Sequence, residues 1–250
     1  FTDWVAWRAL VRAGVWTTAD FARAFNEALK AYDLSPVRDA PNATIERAFW
    51  TEPQVQRLPY QRGMLLATHW DAAVQRATQG RKRLDDVLYE MQHRAAADSQ
   101  LRAVDLLVQA MQSVAGVDIS ADLARYVERG ETAPLARETF GVCGAVQAVD
   151  RPTFHRGFDI ERTLANGDVI TGLVAGGPAE RAGVRDGMKL ITRRAGEIGD
   201  ATQEIAYEVI DAAGQTRTLR WMPVGTGRAV FRQLQLAVSA PQECKRQLGG

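Results

Sequence analysis

The grammar of the chain changes near residue 140, and any fold open to it has to accommodate two different halves. From Phe1 to about Arg129 apolar residues recur at helical spacing, and hardly any segment alternates in the manner of a strand. Beyond Phe140 come short β-rich runs broken by turn signals: Phe158-Asp159-Ile160-Glu161, Asn166-Gly167, Val169 to Val174, Gly176-Gly177-Pro178. Near the end, Ile205 to Ile210 and Thr216 to Trp221 alternate across Ala212-Ala213-Gly214, the pattern of a hairpin. An α+β multidomain architecture follows, and 250 residues suffice for two modest cores. The expected divisions are a helical part over 1–139, a small β domain over 140–228, and a terminal strand and tail over 229–250 packing on the β domain.

Within the first half, Thr17-Thr18 predicts a helix start, with Phe21, Phe25, Ala28, Leu29 and Tyr32 on one side and Ser35-Pro36 as the stop. Asn42 or Thr44 opens a short helix through Phe49. Thr51 to Pro59 reads as a Pro-bounded loop, followed by a long helix from Tyr60 to Thr78 that Gly80 ends. Further helices are expected at Leu84 to His93, Leu101 to Ala115 and, after Ser120, at Ala121 to Arg129. The opening run, with Phe1, Trp4, Trp7 and Leu10-Val11 on one helical face and no capping residue, implies that the chain begins inside a longer protein. An exposed apolar patch around Trp4 and Trp7, and self-association through it, are then expected.

The charge balance narrows the function classes. Lys and Arg number 31 against 30 Asp and Glu, spread evenly, so nothing supplies the basic footprint of a nucleic-acid binder. No apolar run approaches the ~20 residues of a membrane-spanning helix. There are three histidines, His69, His93 and His155, with no pair four residues apart and no H-E-x-x-H helix. His69 and His93 read as surface or core-edge residues. Adjacent Asp85 and Asp86 face different directions and read as acids in a first helical turn. No G-x-S-x-G elbow points to a serine hydrolase. Cys143 and Cys244 form no C-x-x-C pair and are either one disulfide, tying the tail to the β domain and implying a periplasmic or secreted location, or two buried thiols.

The stretch Val169 to Ile191, with Gly177-Pro178-Ala179-Glu180-Arg181-Ala182-Gly183-Val184 and then Gly187, resembles the centre of a PDZ domain of the bacterial protease type. Pro178 suits a first helical turn and Gly183 a left-handed cap. The resemblance implies that His155-Arg156-Gly157-Phe158 forms a carboxylate-binding loop and that Phe158 to Arg162 is a strand receiving a peptide, with Arg156, Gly157, Phe158, Asp159 and Ile160 as contacts. Only Thr192 to Glu204 is left for the groove's helical wall, and Gly196, Gly199 and Asp200 break it, so the groove is short or absent.

Leu58-Pro59-Tyr60-Gln61-Arg62-Gly63, taken alone, is an aromatic residue at a helix start followed by a glycine that admits a neighbour. The same run resembles the Pro-Tyr-x-Lys/Arg-Gly of zinc aminopeptidases of the thermolysin-like clan. Phe1-Thr2-Asp3-Trp4 is similar to the run just after the downstream zinc-ligand Glu of those enzymes. With Leu84 to Leu88, Tyr126 to Leu135 and the PDZ-like region, the chain resembles the C-terminal part of the glycyl aminopeptidase family. The resemblance implies that Tyr60 is catalytic, as hydrogen-bond donor to the oxyanion, and that peptides with a small N-terminal residue are the substrates. It further implies that zinc belongs to a preceding half of the same protein, with no metal ligand here and no activity for this chain alone. The alternatives are a PDZ-type peptide-binding module, and a structural role in a larger assembly.

Overall fold

A computed structural model describes residues 1–98, 100–238 and 241–249. Its elements run α1 (Thr2–Arg12), α2 (Thr18–Asp33), α3 (Asn42–Ala48), α4 (Pro53–Ala77), α5 (Leu84–Ala97), α6 (Ala103–Ala115), α7 (Ser120–Asp122, continuing as a π turn over Leu123–Glu128), β1 (Gly144–Phe154), α8 (Ile160–Ala165), α9 (Pro178–Arg181), β2 (Lys189–Ala195), β3 (Ile205–Ile210), β4 (Thr216–Trp221), β5 (Val224–Leu236) and α10 (Pro241–Gly249). The chain is α+β and divides into two compact units, one of 1–148 with 231–250 and one of 149–230. Strands β1 and β5 pair with each other, and the boundary between the units falls within both.

The first unit is helical for reasons visible residue by residue. Thr17 caps α2 by accepting the Asp20 amide at 3.1 Å, while the Asp20 carboxylate accepts the Thr17 amide at 3.0 Å, a reciprocal capping box. That side of α2 places Phe21, Phe25, Leu29 and Tyr32 fully inside. Phe25 meets Phe140 edge-on at 4.9 Å, and Trp4 meets Phe21 at 5.8 Å. Gly116, at φ 66°, ends α6 in the left-handed conformation that glycine adopts without cost.

The segment expected to be a loop from Thr51 to Pro59 is helical from Pro53 onward. Pro53 occupies the first turn of α4, where its missing N–H costs nothing, and Pro59 sits inside the helix. Burial of Val55 and Leu58 holds that turn. Nor do Trp4 and Trp7 form an exposed patch. Trp4 is buried, and Trp7 packs against Trp16 at 6.3 Å between ring centroids.

The terminal tail corrects the expected division more deeply. Residues 231–250, of which 239, 240 and 250 lie outside the described set, belong to the helical unit rather than to the β domain. Cys143 and Cys244 are bridged, with both ends in this unit and Cα atoms 4.5 Å apart. Arg232 in β5 clasps the Asp33 carboxylate at 2.6 Å and donates to the Ala133 carbonyl at 2.9 Å. The buried Arg8 donates to the Leu248 carbonyl at the end of α10 at 2.8 Å and pairs with Asp85 at 3.0 Å, so Asp85 is more than a solvated first-turn acid.

The second unit is built on the antiparallel order β2-β3-β4. The hairpin closes in the expected register, Ile205 opposite Trp221 and Ile210 opposite Thr216, with the Asp211 carboxylate accepting the Ala213 and Gln215 amides in the turn. Its core gathers Phe158, Ile170, Val184, Ile205, Val209 and Trp221. Val169 to Val174 does not form the expected strand and is linked to β2 by a single bridge, Val169 to Lys189. Gly172, at φ 73°, turns the run aside, and the Thr171 carbonyl and Val174 amide bond to Asp159 and Gly157 instead.

The bridge closes a sequence separation of 101 residues. Replacing both cysteines by serine should lower the unfolding free energy by about 4 kcal/mol. Urea titrations of the oxidised parent and the double variant would measure the difference, and a loss below ~1 kcal/mol would show that the tail is held without the bridge.

Candidate functional site

Helix α4 supplies the site in the first unit. Leu58, Met64, Leu65, Leu66, Ala67 and Trp70 are buried along it, whereas Tyr60 is 56 % exposed. One turn on, Gly63 packs against the chain's first residue, and a Cβ at Gly63 would stand 3.2 Å from the Phe1 nitrogen. Phe1 thus approaches Gly63 closely, and its ring lies 5.7 Å from that of Trp70. Tyr60 and Gly63, three apart on α4, are neighbours on its surface.

Polar groups around this face are fixed by tertiary contacts. Arg62 is buried, with Nη2 donating to the Arg38 carbonyl at 2.9 Å and the Ala40 carbonyl at 2.7 Å. Gly130, at φ 74°, closes on the same Ala40 carbonyl, where a Cβ would clash at 2.5 Å. Asp71, buried on α4, accepts the Leu84 amide at 2.8 Å and so caps α5 from another helix. Sequence reasoning missed all of these roles. The arginine at the centre of the Tyr60 motif was the one available signal, because a charge within so apolar a helix has to find partners.

His69 and Asp122 form a pair on the far stretch of α4. His69 Nε2 lies 3.3 Å from Asp122 Oδ2, which also accepts the Trp70 indole N–H at 2.9 Å. Burial depresses the imidazole below its ordinary value of 6.5, outweighing the upward pull of Asp122. The pair is not a metal centre. Among the described residues no group of three or more His, Cys, Asp and Glu could hold a metal ion.

An apolar cavity of ≈ 440 Å³ opens along α4, lined in part by Pro59, Arg62, Gly63, Leu66 and Trp70 but not by Tyr60. Sequence periodicity marked its walls as core and could not show that they leave space.

The second unit places the expected peptide-binding residues differently from the sequence reading. Arg156 is pinned, its Nε donating to the Tyr207 hydroxyl at 3.1 Å and its carbonyl accepting the Trp221 indole N–H at 2.9 Å. The Gly157 amide donates to His155 Nδ1 at 2.9 Å, and a Cβ there would meet Ala179 at 2.5 Å. Phe158 is buried against Tyr207. Asp159 caps α8 by accepting the Arg162 amide at 3.0 Å, and Ile160 begins that helix. The receiving strand expected at Phe158 to Arg162 is therefore replaced by a cap and a helix, since the Asp159 side chain offers the backbone a helical start. Gly196 to Glu204 forms turns, with no helix to wall a groove. A hollow of ≈ 690 Å³ does border this region, lined by His155, Gly157, Val174, Gly177, Arg181 and Met222 among others.

Among the described residues no helix is long and apolar enough to cross a membrane. No known family profile matches the chain, and no curated protein is significantly similar to it. Among solved structures, an aminopeptidase N family protein from Idiomarina loihiensis is similar in fold, with a TM-score of 0.51 at 15 % identity. The likeness covers 99 % of this chain and 47 % of that one, so the chain spans less than half the length of this neighbour.

A half-buried His69 with a depressed pKa gives a pH dependence of defined sign. Its folded-state pKa lies below its unfolded value of 6.5, so its contribution to stability is complete above 6.5 and is lost as pH falls through the interval below. Urea unfolding should show stability declining as pH falls below 6.5, and His69→Gln should remove part of that decline. An imidazole that titrates above 6.5 by NMR would contradict this assignment.

Proposed function

We propose that this chain is part of a zinc-dependent aminopeptidase, forming a helical wall of its cleft, in which Tyr60 donates a hydrogen bond to the oxyanion that develops on the scissile carbonyl. The observation that carries the reading is the exposed Tyr60 one helical turn from Gly63, where α4 meets Phe1. In the glycyl aminopeptidases that the chain resembles, the run corresponding to Phe1-Thr2-Asp3 comes directly after a metal ligand, and the tyrosine of the Pro-Tyr-x-Arg-Gly motif acts on the carbonyl. Contact between these two segments is what such a cleft requires. The fold of nearly the whole chain also resembles about half of an aminopeptidase N family protein.

The reaction is hydrolysis of the first peptide bond of a substrate with a small N-terminal residue. Water oxygen bonds to the carbonyl carbon, the C–N bond breaks, and the leaving amine takes a proton. The metal-binding half is proposed to lie in a preceding part of the same protein, and this chain alone to be inactive. The Cys143–Cys244 bridge favours a periplasmic or secreted location.

The β-rich unit is read as a PDZ-like module with a spacer role. The Pro178 start of α9, Gly183 and Gly187 support the PDZ-like reading. Peptide capture by its Gly157 loop is the weaker alternative, because that amide is engaged by His155 and no strand edge comes after it.

The test is an aminoacyl-reporter assay on a protein extended upstream of Phe1. Tyr60→Phe should lower kcat by about 10²- to 10³-fold with little change in KM, as for loss of one oxyanion donor, and a chelator should abolish activity. Chelator-sensitive hydrolysis that survives Tyr60→Phe unchanged would remove Tyr60 from the reaction, and no hydrolysis at all would remove the enzyme reading.

A further inference from the structure

The chain contains three asparagines, Asn26, Asn42 and Asn166, and the fold treats them differently. Asn26 lies within α2 with both ends of its amide held, Nδ2 donating to the Leu234 carbonyl at 2.9 Å and Oδ1 accepting the Leu234 amide at 2.7 Å. Asn42 opens α3, its Nδ2 donates to Glu46 at 2.8 Å, and Ala43 comes next. Asn166 stands in an exposed turn after α8 and is followed by Gly167. Its side chain has one long contact, Nδ2 to Thr171 Oγ1 at 3.5 Å. The turn also leaves the next amide available: among the described residues the Gly167 N–H donates to no protein group, and a Cβ at Gly167 would meet nothing within 4 Å. Gly167 at φ 64° is followed by Asp168 at φ 67°, a conformation uncommon for a residue with a side chain. At Asn166 ψ is 30°, so bringing the Gly167 nitrogen to the Asn166 Cγ requires a rotation of this peptide. The rotation breaks the 3.3 Å bond from the Val169 amide to the Asn166 carbonyl and finds no Cβ in its way at Gly167.

We propose that Asn166 is a site of spontaneous covalent modification, at which the Asn166–Gly167 link rearranges through a cyclic imide to aspartate and isoaspartate. The Gly167 nitrogen gives its proton to hydroxide and bonds to the Asn166 Cγ. The Cγ–Nδ2 bond breaks, and Nδ2 takes a proton from water and leaves as ammonia, which regenerates the hydroxide. Water then opens the ring. Attack at Cγ gives aspartate at 166, and attack at the main-chain carbonyl carbon gives isoaspartate, in which the chain runs through the former side chain. Only water and base are consumed or recycled, and the inference is independent of the peptidase reading. Either product adds a negative charge. Isoaspartate also lengthens the backbone by one carbon just ahead of the segment that joins β2, where the Leu190 amide donates to the Asp168 carbonyl at 2.7 Å and the Ile170 amide to the Met188 carbonyl at 2.8 Å. Loosening of that pairing is the structural consequence.

The test is incubation of the folded, oxidised chain in mildly alkaline buffer, followed by tryptic digestion and mass spectrometry that separates aspartate from isoaspartate. The peptide of residues 163–181 should gain both products at least about tenfold faster than the peptides holding Asn26 and Asn42, the rate ratio of a barrier lower by about 1.4 kcal/mol. Asn166→Gln, whose longer side chain would have to close a larger ring, should abolish the change. Gly167→Ala, which places a Cβ beside the attacking nitrogen, should slow it and serves as the second variant should the first fail to fold. In the converted fraction the Ile170 and Leu190 amides should exchange faster with deuterium. A peptide of residues 163–181 that converts in urea and stays intact in the folded chain would show that the fold protects the turn, and would overturn the proposal. Equal rates at the three asparagines, or conversion that persists in folded Asn166→Gln, would overturn it as well.

Discussion

The first unit depends on the burial of α4. A helix of 25 residues with buried positions on most of its turns carries Arg62, Thr68 and Asp71 inside, where their polar groups need partners within the protein. Thr68 answers locally, returning its hydroxyl to the Met64 carbonyl at 2.9 Å. Asp71 reaches the first turn of α5, where the unpaired amides and the helix dipole favour a carboxylate. Arg62 holds the turn around Arg38 to Ala40, which Gly130 also approaches. The same central helix therefore organises the loops around it as well as the apolar core.

Tyr60 is exposed where the other large apolar side chains of α4 are inside, and Phe1 approaches Gly63 closely. The cavity along α4 is a product of the same packing: α3, α4, α5 and α6 each send apolar groups towards it without filling it.

The second unit shows how tertiary context redirects a local signal. The sequence around Gly157 has the turn chemistry of an anion-binding loop. Its glycine is needed for a different reason, the packing of Ala179 against it, and its amide is satisfied by the side chain of His155. Asp159 then captures the Arg162 amide and starts a helix where alternation alone read a strand. The stacking of Tyr207 on Trp221, with ring centroids 5.7 Å apart, completes a core in which Phe158 is a structural residue.

What the amino-acid sequence by itself determined is whatever rests on contacts between near neighbours in the chain. The Thr17 start of α2, the hairpin from Ile205 to Trp221 and the change from helical to β grammar were all legible, because the groups involved lie within a few residues of one another. The exposure of Tyr60 followed only in part, from a motif whose meaning depends on which segments meet. Tertiary structure alone decided that Pro59 lies within a helix, that Asp71 caps α5, and that the tail joins the helical unit. The tail is settled by Arg232 meeting Asp33 across 199 residues and by the Cys143–Cys244 bridge across 101. Contacts at such separations are chosen by the packing of the whole core, and leave no periodicity or spacing in the sequence from which to read them.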